Sequence, residues 1–164
     1  MDPLQENEFR SILRFGITEE KLEAFDIICL PETLPFASSI EELHDAGDAI
    51  MLSKLLKEQG IKCANSYDLD LPSQLLERRS KEKWFGIVFI KKRVALPVLI
   101  AVLSNLISGA VQEIGKDDKS QVGKIHIELK IEQGHNLTNI RYDGDGRTFI
   151  SILKSIEADT SEKK

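Results

Sequence analysis

Hydrophobic positions along this chain change their spacing several times, and each change marks an element. Phe9, Ile12 and Leu13 recur at helical spacing between Pro3 and Phe15, ahead of Gly16. Thr18 is placed to cap a second short helix carrying Leu22 and Phe25, with Glu19 and Glu20 in its first turn. Asp26 to Pro31 (DIICLP) predicts a short buried strand closed by proline. Ser39 and Glu42 have the spacing of a capping box, ahead of a helix with Leu43, Ala46, Ile50, Leu52, Leu55 and Leu56 on a broad apolar face. Gly60 would end that helix, and Ile61 to Ala64 predicts a second strand. These pieces make a β-α-β unit with parallel strands.

Leu71 to Arg79 predicts a short helix. Trp84 to Ile90 (WFGIVFI) is nearly all apolar, as suits a strand buried on both faces. Val94 to Val111 follows, eighteen residues without a charge. Leu96, Leu99, Ile100, Leu103, Leu106, Ile107 and Ala110 share one wide helical face there, and Pro97 suits a first turn. After a polar linker, Ile114 to Gly123, the period becomes two. Ile125, Ile127, Leu129 and Ile131 point one way; His126, Glu128, Lys130 and Glu132 point the other. Gly134 to Asn136 turns the chain, and Leu137 to Asp143 returns as a second strand. Asp143-Gly144-Asp145-Gly146 leads into a last helix with Phe149, Ile152, Leu153 and Ile156 on one face. The polar strand face predicts a hairpin at a sheet edge or in a separate subdomain. The expected architecture is α/β: a short, partly parallel sheet with flanking helices in residues 1–115, a ββα unit in 122–158, and a tail in 159–164.

The uncharged run has three readings. A membrane span needs about 20 apolar residues. Lys91, Lys92 and Arg93 before the run would hold its start in the cytoplasm, but Ser104, Asn105 and Ser108 lie in its second half. Burial in the chain's own core explains the same residues without a membrane. Burial against a second copy or a partner is the third reading. Leu99, Leu103, Ser104 and Ser108 would then form the interaction surface.

Charge sharpens the choice. The chain of 164 residues has a net charge of −5, yet Glu77 to Arg93 holds seven cations against two acids. That segment is +5 and leaves −10 for the rest. Arg78, Arg79, Lys91, Lys92 and Arg93 form a basic patch beside the apolar run, the pattern of a membrane-facing surface. The acidic whole argues against nucleic acid as a partner. The opening MDPLQENEFR has no apolar leader segment. Cys29 and Cys63 sit in apolar stretches, which predicts buried free thiols and fits a reducing cytoplasm. Parallel neighbouring strands would leave a disulfide open as an alternative.

Chemistry is thinly signalled. The chain contains no P-loop, GxGxxG, HExxH, CxxC or GxSxG. His44, His126 and His135 show no ligand spacing and read as surface histidines. The DGDG segment resembles a fragment of a calcium loop but runs straight into a helix. Ser38 and Ser39 could present amides to a phosphate, although the loop lacks glycine. Glu128-Leu129-Lys130, with Asp117 and Asp118 upstream, is similar to the core of a PD-(D/E)xK nuclease, where acids hold magnesium and the lysine orients water. The weak catalytic candidates are Asp118, Glu128 and Lys130. An alternating exposed strand produces the same pattern without catalysis.

Trp84-Phe85-Gly86, the apolar run, the strand Ile125 to Ile131 and the step Tyr142-Asp143-Gly144 occur in an order that resembles a recurrent type of small bacterial α/β protein. The resemblance spans Asp26 to Ile156. It implies an accessory role in a bacterial defence or toxin-type operon and carries no activity. The leading expectation is a non-enzymatic interaction or regulatory subunit, without cofactor or metal, holding a protein partner or a second copy through the apolar helix or the hairpin edge. A protein anchored to the inner membrane by 94–111 and a magnesium-dependent nuclease are the alternatives.

Overall fold

In a computed structural model, the described residues are 15–76, 82–113, 124–133 and 136–162. The predicted first helix falls largely outside them. Arg78, Arg79, Asp117, Asp118 and His135 fall wholly outside, as does the side chain of Ser108.

The protein is an α/β fold built on one mixed five-stranded sheet. Helix α1 (Glu19–Glu23) begins where Thr18 accepts a hydrogen bond from the Lys21 N–H. Strand β1 (Ile27–Leu30) is buried along its whole length. Strand β2 (His44–Ala46) precedes helix α2 (Gly47–Glu58). Strands β3 (Cys63–Ala64) and β4 (Gln74–Leu76) follow, then β5 (Lys83–Ile90). Helix α3 (Leu96–Glu113) links β5 to β6 (Lys124–Gln133). Strand β7 (Asn136–Asp145) and helix α4 (Gly146–Glu162) end the described chain.

The sheet order is β3-β1-β5-β6-β7. The β1–β3 and β5–β6 pairs are parallel, each joined through a helix, as the β-α-β pattern predicts. The β1–β5 and β6–β7 pairs are antiparallel. The hairpin is therefore one edge of the main sheet. Strand β5 carries a bulge between Trp84 and Gly86 where it meets β6. Gly86 has φ +69°, and a Cβ there would stand 3.2 Å from the Ala46 Cβ, so glycine lets β5 pass close to β2.

Helices α2, α3 and α4 cover one face of the sheet. Leu52, Leu56, Leu99, Leu103, Ile107, Phe149 and Leu153 meet Ile125, Ile127, Leu129 and Ile131 there in one apolar cluster. Full burial of such a side chain contributes roughly 1.5–3 kcal/mol. On the other face, Ile28, Leu30, Ile87 and Phe89 are covered by α1 and by loop residues including Leu34, Leu43 and Leu69.

Two local expectations are corrected. Ser39 and Glu42 bracket only a 3-10 turn, Ile40–Glu42, and Ser39 makes no side-chain cap bond. The Thr33 hydroxyl accepts from the His44 N–H (2.8 Å), and the Glu32 N–H donates to the His44 carbonyl (3.0 Å). These bonds hold the chain extended, and α2 starts only at Gly47. Within 71–79, Gln74–Leu76 is a strand, paired in parallel with β2. Pro72 favours an extended approach, and the edge of β2 satisfies the backbone that a helix would have satisfied internally.

Candidate functional site

The described inward face of the expected interaction helix is core. Leu99 and Leu103 are fully buried by the chain itself, so neither offers surface to a partner. Ser104 is half-buried. Among the described residues, no helix is long and apolar enough to cross a membrane.

The described part of the basic patch, Lys91 to Arg93, is held by internal bonds. Lys91 Nζ lies between Glu23 (3.1 Å) and Glu132 (2.9 Å) and 5.7 Å from the centre of the Phe89 ring. Its side chain is only 5% exposed, despite standing in a run of cations. Lys92 is 3.5 Å from Asp26. Arg93 Nη2 donates to the Ile156 carbonyl (3.4 Å), tying the start of α3 to α4.

Lys130 does not project from a solvated face, and Glu128 is half-buried. Strand β6 is interior to the sheet, with Phe89 beside Lys130 on β5 and Asn139 beside it on β7. These neighbours leave Lys130 3% exposed. Its ammonium donates to Asn139 Oδ1 (3.3 Å) and lies 3.7 Å from Glu128 Oε1. Among the described residues, no group of three or more His, Cys, Asp or Glu side chains is arranged to hold a metal ion.

The polar end of the hairpin gathers the richest side-chain chemistry. Parallel pairing of β5 and β6 sets Trp84 beside His126, and the rings stack with centroids 3.6 Å apart and planes 12° apart. Antiparallel pairing of β6 and β7 sets Asp143 opposite His126. His126 Nδ1 is 2.6 Å from Asp143 Oδ1, and Nε2 is 3.1 Å from Glu82 Oε2. Both carboxylates accept a hydrogen bond at once only when both ring nitrogens carry a proton. A cleft of about 210 Å³ opens beside this cluster. Glu32, Phe36, Glu128 and Arg141 line it with Trp84 and His126. Phe36 is exposed at its rim. Arg141 faces Glu128 across the ladder, and its side chain has no ion pair or hydrogen bond among the described residues.

Two other clusters are structural. Asp45 accepts from Ser66 Oγ and Ser73 Oγ, both at 2.5 Å, in a second cleft of about 520 Å³. Asp70 in the same wall is paired with Lys21 at 2.7 Å. Those carboxylates fasten the 65–73 loop. Cys29 and Cys63 are free thiols sealed in the core between β1, β3 and α2. A hydrogen bond between them, then burial, pushes the Cys29 thiol up. The same bond, helped by Ser53 and Lys57 against desolvation, holds Cys63 below the usual thiol value.

His126 and Asp143 were legible as neighbours only once the turn was placed to the residue. A turn over 134–136 shifts every partner by one. The observed pairing of Gln133 with Asn136 brings His126 opposite Asp143 and Glu128 opposite Arg141. Glu82, Trp84 and Phe36 join from distant segments, and no local spacing announces them. No family model, curated protein or solved structure matches this chain.

Proposed function

We propose that this protein is a non-enzymatic interaction subunit whose docking surface is the outer edge of β7. A partner segment would extend the sheet by one strand, with backbone hydrogen bonds supplying affinity and side chains beside the polar cleft supplying selectivity. The observation that carries this reading is the edge itself. β7 is ten residues long, stands at the end of the sheet, and has no strand on its outer side among the described residues. Sheet edges are commonly blunted by charged side chains, above all lysine, by proline or by a bulge. β7 carries Arg141, Asp143 and Asp145 but no lysine or proline, and its register with β6 runs unbroken from Lys124↔Asp145 to Gln133↔Asn136. The opposite edge strand, β3, has only two residues.

Arg141 strengthens the reading, because an exposed guanidinium beside Glu128 and Asp143 can pair with an acid on an added strand. The test places a photo-activated cross-linking side chain at Asn139, exposed on β7, or at Lys154, exposed on α4. Irradiation in cells that express the protein should give adducts from position 139 and none from position 154. Adducts from 154 alone, or from neither position, would remove the edge as the docking surface.

A further inference from the structure

We infer that the strand that pairs with β7 belongs to a second copy of this chain, arranged antiparallel about a two-fold axis at Tyr142. This rests on the edge reading above and names the edge's occupant. The dimer would join two five-stranded sheets into one of ten strands.

The order of charges along β7 carries the inference. The register with β6 places Leu137, Asn139, Arg141, Asp143 and Asp145 on the polar face, and Thr138, Ile140, Tyr142 and Gly144 on the helix face. In an antiparallel pair, side chains on one face meet side chains on the same face. With the axis at Tyr142, Arg141 of each copy stands opposite Asp143 of the other. Asn139 then meets Asp145, and Ile140 meets Gly144. An axis at Arg141 sets two guanidiniums together; an axis at Asp143 pairs Arg141 with Asp145 but sets two carboxylates together at its centre, and an axis at Gly144 sets Asp143 against Asp145. An axis at Ile140 sets Arg141 against Asn139 and Asp143 against Leu137, with no opposite-charge pair. Opposite charges directly across a ladder are favourable and like charges unfavourable, so the Tyr142 register is selected.

The local structure suits that register. The Tyr142 hydroxyl donates to the Asp145 carbonyl (2.7 Å), and the ring packs on Phe149 with centroids 5.1 Å apart. A Cβ at Gly144 would stand 3.2 Å from the Tyr142 hydroxyl oxygen, so the bare glycine leaves space for the tyrosine along the strand. The side chain at the axis is thereby held against its own molecule. Arg141 and Asp143 line the cleft, so each copy would bring the opposite charge to the cleft mouth of the other.

The test uses the full chain in sedimentation equilibrium. The unmodified protein should dimerise. Arg141→Asp alone and Asp143→Arg alone each set like charges across the axis, and each should weaken the dimer at least tenfold. An equimolar mixture of the two variants should recover a dimer containing one of each, because every charge then faces its opposite. Circular dichroism checks that each variant is folded. If either is not, a spin label on Asn139→Cys in otherwise unmodified protein supplies an independent reading, since the native thiols are sealed in the core. Residue 139 lies three positions from the axis, so two labels should be separated by about 20 Å along the strands. A monomer at every concentration, a dimer indifferent to both charge changes, or no defined label separation would overturn the inference. Cross-linking from Asn139 in cells to a different protein, with the purified chain monomeric, would overturn the self-pairing while leaving the edge in use. Loss of both signals would sink both readings.

Discussion

Helix α3 and the β6–β7 hairpin invert what their compositions suggest. The helix carries most of an eighteen-residue uncharged run and resembles a surface waiting for lipid or a partner, yet Leu99, Leu103 and Ile107 close the core of their own chain. The hairpin alternates apolar and charged residues and resembles a sheet with one wet face. Lys130 on that face is nevertheless as buried as the isoleucines behind it. Hydrophobicity tells which residues leave water, but the neighbouring strands and helices decide how much water remains beside the others.

The largest effect that would test this contrast is at Leu103. Leu103→Lys should unfold the protein, because an unpaired buried cation costs about 3–5 kcal/mol. Leu103→Ala should cost about 2–5 kcal/mol in urea denaturation. A folded, less associated protein from Leu103→Lys would instead make the helix an interface. Next comes Glu128→Gln, which removes a counter-charge from buried Lys130 and should cost about 1–3 kcal/mol. A change within about 0.5 kcal/mol would place Lys130 in solvent after all.

Smaller effects follow at the cleft and at the start of the apolar run. His126→Ala removes the Trp84 stack and the contacts to Asp143 and Glu82, for an expected loss of about 1–2 kcal/mol. His126→Phe should recover part of it by restoring the stack. Trp84 is the chain's one tryptophan, so its fluorescence reports both unfolding and the loss of its ring partner. Equal losses for the two variants would mean that stacking contributes nothing. Val94 is 81% exposed, and Val94→Lys should shift stability by no more than about 0.5 kcal/mol. A larger loss there would show that the start of the run is covered.

Most of the element order was readable because each element carries its own signal. The period-two strand at Ile125 to Ile131, the apolar helix and the Asp145 cap all depend on near neighbours. Asp145 Oδ2 accepts from the Thr148 N–H at 3.0 Å, fixing the start of α4 where the glycines and aspartates suggested it. Strands β2 and β4 were not readable, since each is three residues long and exists only by pairing with the other. The burial of Lys91 and Lys130 was hidden for a related reason. The acids beside Lys91 and the amide that accepts from Lys130 come from other segments, and Glu23 lies 68 residues before Lys91. The candidate site assembles from four segments, so its members were visible singly but not as a cluster.

The bulge at Gly86 works as a change of reading frame within one strand. Beyond it, even-numbered Val88 and Ile90 face the helices while odd-numbered Ile87 and Phe89 face away. Before it the parity is reversed: odd-numbered Phe85 enters the helix-side core, and Trp84 turns to His126. WFGIVFI thus holds two alternating patterns spliced out of phase, and it reads as an unbroken apolar run because both faces of the strand are covered. Straightening the strand into one alternation with every residue kept would leave Ile87 to Ile90 in register and move the indole to the face opposite His126, dismantling the cleft with no change in the strand's composition.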